Sequence, residues 1–537
     1  MKVLIIGGVA GGATAAARLR RLDESAEIIM FERGDYISFA NCGLPYYIGG
    51  EITDKGALTV QTPESFKSRL NIDVRVRETV TAINRKEKTL TVQKADGSIY
   101  TESYDKLLVT PGAAPVKLPL EGIDAPNVFT LRNIPDTYKI DEFISRNKPK
   151  TAAIIGGGFI GLEMAENLKR RGLEVTVIEA APQIAAVLDE DTVCDLQNYL
   201  VTQGITVKTN VKLNSIGETG CDMVLVSVGV KPESELAVSC GLETGIKGAI
   251  IVDEYLRTSD PDIYAAGDAV QIKNFVTGGD GYVPLAGPAN KQARIAADNI
   301  AGGNSTYKGT QGTSVLKVFG MAAAATGLNE RAAKAGGIPY DKVFLYSANH
   351  ATYYPGAEFM NLKVIFDTTN GRILGAQAVG SGGVDKRIDV LATAIRGGMR
   401  ASDLCDLELA YAPPFSSAKD PVNMAGYVIE NLMTGKVKQI HWHQVDELTG
   451  TPGLQRIDVR PAEAYAGGTI PGAVSIPLTE LRNRLGELDK NRPVYVSCQT
   501  GLNSYIACRI LTGHGFNAVN LAGGYRLYDS VRRAKNN

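Results

Sequence analysis

Short apolar runs that stop at glycine turns mark two regions of the chain. Residues 2–6 (KVLII) form a β-branched run that ends at residues 7–12 (GGVAGG), and an alanine-rich helical stretch follows. Residues 152–161 (AAIIGGGFIG) repeat the pattern, with a second helical stretch continuing to Arg170. A strand, a glycine turn and a helix in this order are the context in which a glycine motif binds a dinucleotide. The pattern therefore predicts an α/β protein with two Rossmann-like units.

An acidic residue ends the strand that follows each glycine turn. Glu32 closes the run 28–31, and Glu179 closes the run 175–178. A carboxylate at this position accepts a hydrogen bond from a ribose hydroxyl, while the helix N-terminus faces the pyrophosphate. A single glycine motif could equally be a tight turn in any α/β sheet. Two such motifs, each with a distal acid, favour nucleotide binding.

The two turns differ in how closely they follow the G-x-G-x-x-G pattern. The second turn is complete, whereas Val9 takes the middle glycine position of the first. After Glu179 the chain reads Ala-Ala-Pro, with no arginine to hold a 2′-phosphate, so NADH is favoured over NADPH. The glycines predicted to bind cofactor are Gly7 and Gly12 in the first turn and Gly156, Gly158 and Gly161 in the second.

Composition limits the function without defining it. A chain of 537 residues exceeds one hydrophobic core, so we expect about three or four domains. A net charge of −1 gives no electrostatic argument for nucleic acid or an anionic membrane as partner. Seven widely spaced cysteines favour reduced thiols over a disulfide framework. With no apolar stretch long enough to span a bilayer, we expect a cytoplasmic protein.

Two further segments resemble parts of flavoproteins. Residues 258–268 (TSDPDIYAAGD) end in Gly267 and Asp268, like the segment whose aspartate binds the ribitol chain of FAD. The turn from Thr110 to Gly112 resembles the one through which the chain leaves the FAD domain. Residues 1 to about 435 thus resemble the two-dinucleotide disulfide reductase superfamily. The resemblance implies FAD on the first unit and NADH on the second.

Cys42 is a single cysteine in the run 38–47 (SFANCGLPYY), and no second cysteine follows through Gly50. A flavin beside a cysteine pair passes electrons through an internal disulfide, whereas a flavin beside one cysteine needs a second sulfur from a substrate. The run resembles the single-cysteine branch of coenzyme A disulfide reductases, NADH oxidases and NADH peroxidases. The first glycine turn lacks the histidine of the oxidases and peroxidases, and residues 411–421 (YAPPFSSAKDP) also resemble coenzyme A disulfide reductases.

That resemblance implies a coenzyme A site around Cys42. Ser38 and Asn41 are expected to line the thiol end, and Arg18 and Arg21 are candidates for the phosphates, since arginine provides a charged bidentate fork. A solvated basic helix face is the alternative for these arginines.

The same resemblance implies a homodimer in which two tyrosines reach the cysteine from the partner subunit. Their counterparts are Tyr353 and Tyr411, with Tyr354 as a competitor for the first and a structural phenol as the alternative. Tyr411 is expected to be the proton donor to the leaving group.

The C-terminal region resembles a rhodanese domain. A strand ends at Cys498, and a loop leads to a helix near Ser504, so the loop's N–H groups could hold a persulfide. Asn503 stands where such loops often carry arginine, and Thr469 where they often carry histidine; loss of the cation argues against thiosulfate as donor. We expect an exposed nucleophile, with a buried inert cysteine as the alternative. Residues 436–448 are predicted to be a linker, and the pair His441 and His443 within it is not expected to bind metal.

The resemblances together predict four domains and an activity. The domains are an FAD-binding domain in two parts (1–112 and 240–315), an NADH-binding domain (113–239), an α+β dimerisation domain (316–435) and a rhodanese domain (446–537). The expected activity is FAD-dependent, NADH-driven reduction of coenzyme A persulfide, polysulfide or coenzyme A disulfide through Cys42, with sulfane sulfur relayed by Cys498. The alternatives are a plain coenzyme A disulfide reductase with a vestigial rhodanese tail, an NADH oxidase, or a sulfur-binding or redox-sensing scaffold.

Overall fold

The structure is a computed structural model, and it describes residues 1–448, 451 and 453–536. The chain divides into two compact units, one formed by residues 1–182 with 208–312 and the other by residues 183–207 with 313 onward. The architecture confirms the predicted α/β class.

The first unit contains a parallel sheet on which the first glycine turn lies. Its strands are β1 (Lys2–Ile6), β2 (Glu27–Glu32), β3 (Asp73–Val76), β7 (Lys106–Val109) and β15 (Ile263–Ala265), in the order β15-β7-β1-β2-β3. Helices α1 (Ala10–Leu22), α3 (Pro63–Leu70) and α8 (Ala286–Ile300) belong to the same part of the unit. Fully buried alanines on α1 and α8 let the helices approach closely over the apolar face of β1 and β2.

A second parallel sheet in this unit carries the second glycine turn. It contains β11 (Glu174–Ile178), β10 (Thr151–Ile155), β13 (Met223–Val226) and β9 (Val128–Phe129), in that order, with helices α4 (Ile134–Asn147) and α5 (Phe159–Arg170). The strand–turn–helix order read from the sequence is thus confirmed twice.

Smaller elements complete the first unit. They are the antiparallel sheet of β4 (Glu78–Asn84), β5 (Thr89–Lys94) and β6 (Ile99–Ser103); the pairs β8 (Ala113–Pro115) with β14 (Val230–Pro232) and β16 (Ile272–Lys273) with β17 (Asp280–Gly281); and helices α2 (Leu44–Ile48) and α7 (Glu235–Ser239).

The second unit begins with a five-stranded antiparallel sheet. Its strands are β18 (Ser314–Val318), β19 (Met321–Gly327), β20 (Tyr340–Ala348), β21 (Phe359–Asp367) and β22 (Ile373–Gly380), in the order β18-β19-β22-β21-β20. The accompanying elements are α6 (Glu190–Thr202), β12 (Ile205–Lys208), α9 (Glu330–Ala335), α10 (Val384–Arg396), α11 (Ala401–Cys405) and α12 (Pro421–Met433).

A parallel sheet forms the C-terminal part of the second unit. Its strands are β23 (Lys438–Ile440), β24 (Gln455–Asp458), β25 (Val474–Ser475), β26 (Val494–Ser497) and β27 (Ala518–Leu521), in the order β23-β27-β26-β24-β25. Its helices are α13 (Trp442–Glu447), α14 (Ala462–Ala466), α15 (Leu502–Gly513) and α16 (Gly524–Asn536). The predicted linker at 436–448 is therefore wrong: β23 pairs with β27, and α13 follows it directly.

The last helix packs on the antiparallel-sheet domain. Leu527 and Val531 of α16 share one buried apolar cluster with Cys194 of α6 and with Phe344 and Tyr346 of β20. The Asn198 side chain of α6 donates to the Ser530 carbonyl oxygen at 2.9 Å. The C-terminal domain is thus built into the second unit.

Candidate active sites

The first glycine turn has the geometry that a dinucleotide requires. Gly7 has φ +94°, and a Cβ on Gly12 would lie 1.8 Å from the Gly7 carbonyl oxygen, so both positions need glycine. Helix α1 begins without a side-chain cap, which leaves its N-terminal amides for a ligand. The Gly8 N–H donates to Glu32 Oε2 at 2.9 Å, so the predicted ribose-binding carboxylate lies against this turn.

The residues after β7 support the same turn. The Thr110 hydroxyl donates to the carbonyl oxygens of Ile6 and Gly7 at 2.8 and 3.0 Å. Thr110 therefore holds the backbone at the start of the turn in place. Gly112 has φ +80°, and a Cβ there would lie 2.7 Å from an Arg132 guanidinium nitrogen.

The second turn repeats this design. Gly156 has φ +104°, and a Cβ on Gly161 would lie 2.1 Å from the Gly156 carbonyl oxygen. A Cβ on Gly158, the N-cap of α5, would meet nothing within 4 Å, which is the open approach a pyrophosphate needs. Glu179 accepts hydrogen bonds from the Gly157 and Ala181 N–H groups, both at 2.8 Å. The residues of both turns therefore fit dinucleotides.

Cys42 lies in a short 3-10 turn immediately before α2 and is solvent-exposed. The surrounding protein nevertheless desolvates the thiol enough to raise its pKa above the usual value, and the carboxylates of Glu163 and Asp268 add to the increase. The predicted flavin residue Asp268 and the predicted redox cysteine are thus electrostatically coupled.

Glu163 was not predicted from the sequence. It lies on α5, directly after the second glycine turn, and desolvation raises its pKa to about 7. The Tyr46 hydroxyl lies 3.4 Å from Glu163 Oε1. A carboxyl group that titrates near neutral pH and whose charge acts on Cys42 is suited to holding a proton at this place. Its position two residues after the last glycine of the motif was the available signal.

Asn41 and Ser38 are held in defined conformations near Cys42. With its amide oriented to satisfy both groups, Asn41 donates to the Arg132 carbonyl and accepts from the Arg132 guanidinium, each at 3.0 Å. Ser38 has φ +43°, a left-handed conformation that is rare for serine, and its N–H donates to the Gly8 carbonyl at 2.9 Å. Arg132 also favours the ionised form of Asp268, although desolvation is the larger effect and raises the pKa of that carboxyl. Arg132 connects these groups and was missed from the sequence.

The two arginines proposed for coenzyme A phosphates differ. Arg18 Nε donates to Asp298 Oδ1 on α8 at 2.6 Å, so its charge is already paired. Arg21 is exposed on the last turn of α1. Of the two, Arg21 is the more available to an added phosphate.

The two predicted tyrosines lie together in the second unit. The hydroxyls of Tyr353 and Tyr411 are 3.0 Å apart, and both side chains are exposed. The hydrogen bond to Tyr411 is the main reason that the pKa of Tyr353 is raised. The competitor Tyr354 instead packs edge-on against the His350 ring at 5.7 Å. Tyr353 and Tyr411 are therefore a paired-phenol site.

A buried arginine ties the two tyrosine-bearing loops together. Arg387 is 1% exposed, and its Nη2 donates to the Asn349 carbonyl, Ser416 Oγ and Asp420 Oδ2 at 2.9, 3.1 and 2.9 Å. Asn349 precedes Tyr353, whereas Ser416 and Asp420 follow Tyr411. Arg387 thus fixes the relative position of the two loops.

Cys498 lies between β26 and α15. Its sulfur accepts hydrogen bonds from the Gly501 N–H at 3.1 Å and the Ser504 hydroxyl at 3.2 Å. The side chain is 2% exposed, so the predicted exposure is wrong. The cause is the first turn of α16, where the Tyr525 N–H donates to the Cys498 carbonyl at 2.8 Å and the helix lies against the loop.

The two departures from rhodanese patterns have different structural outcomes. Asn503 is exposed. Thr469 donates its hydroxyl to Asp458 Oδ2 at 2.7 Å, and Arg460 forms a buried ion pair with the same carboxylate. Burial raises the pKa of Cys508 to about 12, in keeping with a core cysteine.

Three acids of the second unit approach closely enough to suggest a cation site: Asp189, Asp191 and Glu330. Lys363, fully buried among them, pairs with all three, and Lys342 pairs with Asp191 and Glu330. The lysines thus compensate the charge that would attract a metal. His441 Nε2 lies 2.7 Å from Asp341 Oδ1, so this histidine is engaged in a side-chain pair.

Across the residues that the structure describes, no helix has the length and apolar composition needed to cross a membrane.

The chain has two dinucleotide turns, an exposed cysteine in the same unit, and a further domain in which the hydroxyls of Tyr353 and Tyr411 pair. This combination defines the class of nucleotide-dependent disulfide reductases. The chain belongs to the pyridine nucleotide-disulphide oxidoreductase family, which matches residues 1–293, and the dimerisation domain of that family matches residues 313–421. A rhodanese-like domain matches residues 441–530. The protein is therefore an NAD(P)H-dependent flavoprotein oxidoreductase, and its family implies FAD and NAD(H) as cofactors. The predicted resemblance is confirmed.

Three known proteins are similar to this chain over most of its length. Coenzyme A disulfide reductase of Staphylococcus haemolyticus (strain JCSC1435) is 38% identical over 443 residues, which are 80% of this chain and 100% of that protein. Reduced CoADR-RHD of Bacillus anthracis is 46% identical, with a TM-score of 0.97 over 99% of this chain and 98% of that one. An NAD-dependent persulfide reductase from A. fulgidus is 39% identical, with a TM-score of 0.92 over 98% and 100% of the two chains.

Proposed function

We propose that this protein is an NADH-driven reductase of coenzyme A persulfide, polysulfide or coenzyme A disulfide, acting through Cys42 as a homodimer, with sulfane sulfur relayed by Cys498. The observation that carries the proposal is the isolation of the Cys42 thiol. All seven cysteines are free, and Cys42 is the exposed one. A lone accessible thiol can form a redox disulfide only with a sulfur supplied by a ligand.

The residues around Cys42 have distinct proposed roles. The two glycine turns, with Glu32, Asp268 and Glu179, bind FAD and NADH, and FAD when bound supplies two-electron transfer to the sulfur–sulfur bond. The Cys42 thiolate attacks the outer sulfur of the substrate, and the thiol that leaves takes a proton. Tyr411, paired with Tyr353, donates that proton from the partner subunit.

The relatives support the substrate class. Names of the similar proteins include coenzyme A disulfide reductase and persulfide reductase, and one relative of the second kind matches nearly the whole chain, including its rhodanese-like region. A sulfur-carrier domain has no evident use in plain disulfide reduction. This favours persulfide or polysulfide as the substrate and Cys498 as its carrier.

A plain coenzyme A disulfide reductase with an inactive tail is the second candidate. The observation in its favour is that Cys498 is almost completely buried. An NADH oxidase is less favoured because Val9 and Ala10 stand in the first turn, where no histidine is available to assist peroxide chemistry.

Cys498→Ser separates the two candidates. We expect this variant to lose the NADH oxidation that depends on sulfane sulfur delivered through Cys498, measured with polysulfide as the sulfur source, while it keeps reduction of coenzyme A disulfide, because only the relay uses Cys498. NADH consumption is measured with each substrate, and Cys508→Ser, at the other cysteine of the same buried apolar cluster, is the matched control. If Cys498→Ser keeps wild-type turnover with every sulfur donor, the relay is absent and the second candidate stands.

The preference for NADH is tested at Glu179. Replacing Glu179 with alanine and Ala180 with arginine is expected to raise the NADPH/NADH ratio of kcat/KM by about tenfold or more, because the carboxylate repels a 2′-phosphate and arginine binds it. Steady-state kinetics with both nucleotides measure the ratio. Ala180→Arg alone, which keeps the carboxylate, is the control and should give a smaller change. An unchanged ratio in the double variant would contradict the role of Glu179.

A further inference from the structure

A cavity of about 410 Å³ opens beside the Cys498 loop. Gln499, the residue after the cysteine, lines it together with Tyr525, Arg526 and Asp529 of α16 and with Arg460. Loop and wall are joined by backbone hydrogen bonds, since the Arg526 N–H donates to the Gln499 carbonyl at 3.0 Å. The volume lies in the range of small-molecule sites.

Three arginines line this cavity: Arg460, Arg526 and Arg533. Among the described residues, Arg526 has no carboxylate partner. Its guanidinium lies 4.5 Å from the ring centroid of Tyr346 and 5.8 Å from that of Phe359, and stacking of this kind leaves the N–H edges free. The other two guanidiniums are paired, Arg460 with Asp458 and Arg533 with Asp529.

The carboxylates of the cavity are already engaged. Asp529 pairs with Arg533. Asp195 accepts hydrogen bonds from the Tyr346 hydroxyl, the Asn361 amide and the Ser530 hydroxyl at 3.0, 3.0 and 2.5 Å. An incoming anion would therefore find free donors at Arg526, with the cavity's acceptors largely occupied.

We infer that this cavity binds the oxyanion group of the sulfane-sulfur donor to Cys498, with Arg526 supplying the positive charge that the loop lacks at Asn503. The inference rests on the proposed relay and names its substrate class: sulfane-sulfur donors with a sulfonate or carboxylate close to the transferred sulfur. It reverses the sequence-based argument against thiosulfate, because the cation comes from α16 and not from the loop.

The transfer step balances for both kinds of donor. With thiosulfate, the Cys498 thiolate forms a bond to the outer sulfur, the S–S bond of thiosulfate breaks, and sulfite leaves with the bonding electron pair. With an organic persulfide, the same attack on the outer S–H sulfur gives the protonated Cys498 persulfide and an organic thiolate. Cyanide then removes the outer sulfur as thiocyanate and regenerates the Cys498 thiolate, which gives an assay that needs no NADH.

The test measures thiocyanate formation by the full-length protein with three donors: thiosulfate, glutathione persulfide and the uncharged 2-hydroxyethyl persulfide. In Arg526→Gln we expect the ratio of kcat/KM for an anionic donor to that for the uncharged donor to fall about tenfold or more, mainly through KM, since a charge-assisted hydrogen bond is lost. Arg526→Lys, which keeps the charge without the fork, should fall between the two. Arg532→Gln, on the same helix but outside the cavity, should keep the wild-type ratio.

Each outcome decides the matter. A loss with thiosulfate alone identifies an inorganic donor, a loss with glutathione persulfide alone an organic one, and both support the inference. An unchanged ratio, or an equal loss with all three donors, overturns it while the relay stands. If the wild-type protein forms no thiocyanate from any donor, the inference and the relay fall together, whereas coenzyme A disulfide reduction through Cys42 remains.

Discussion

Cys42→Ser should lose NADH-driven reduction of coenzyme A disulfide, with kcat/KM lowered about a thousandfold or more, a scale typical of removing a covalent nucleophile. Serine keeps the shape of the side chain but cannot form or release a sulfur–sulfur bond. Nucleotide binding should persist, because neither glycine turn uses Cys42. The measurement is NADH consumption under steady-state conditions, with an NADH titration to check that the fold is intact.

Cys240→Ser is the matched control for this prediction, since Cys240 is a half-buried thiol of the same unit whose Sγ lies 3.2 Å from the Ala237 carbonyl oxygen. It should keep wild-type turnover. Mass measurement of the gently denatured wild-type protein should find any coenzyme A adduct on Cys42. Substantial disulfide reduction by Cys42→Ser would remove the basis of the proposed function.

Arg387→Met is expected to destabilise the second unit by about 3–5 kcal/mol, because it leaves the Asp420 carboxylate buried without its cation. The tyrosine-bearing loops should also lose their fixed spacing, so turnover of the surviving folded protein should fall as well. Urea unfolding followed by a probe in the second unit measures the first effect, and kcat measures the second.

Two comparisons make this prediction specific. Lys386→Met, at the neighbouring position on α10, should change stability by less than about 0.5 kcal/mol. The double variant Arg387→Met with Asp420→Asn removes both charges, keeps a side-chain oxygen to cap α12, and should recover much of the lost stability while kcat stays low. Full stability in the single variant would show that Arg387 does not hold the loops.

The parts of the site that follow from short stretches of sequence were predictable. The turns at Gly7 and Gly156 need positive φ, and each lies between a strand and a helix whose apolar pattern is local, so a few residues define the geometry. The choice of Tyr353 and Tyr411 came from family resemblance, and their hydrogen bond to each other was not predicted, because 58 residues separate them and no local pattern connects them.

Other features depend on contacts between distant segments and were missed for that reason. Arg132 and Arg387 belong to no motif in the sequence, yet Arg132 contacts Asn41 and Arg387 is buried against Asp420. The strand Lys438–Ile440 is too short and too polar to show a period of two. Burial of Cys498 depends on α16, which begins 26 residues later.

The packing of α16 on α6 and β20 has a consequence for anyone who shortens the protein. Deleting the rhodanese-like domain would expose the side chains of Cys194, Phe344 and Tyr346 and would remove the Trp442 indole N–H that donates to Asp191. A truncated enzyme would therefore expose an apolar, partly charged surface that favours aggregation. Reductase activity lost on truncation would then report damage to this surface, so point substitutions at Cys498 are the better way to test the C-terminal domain by itself.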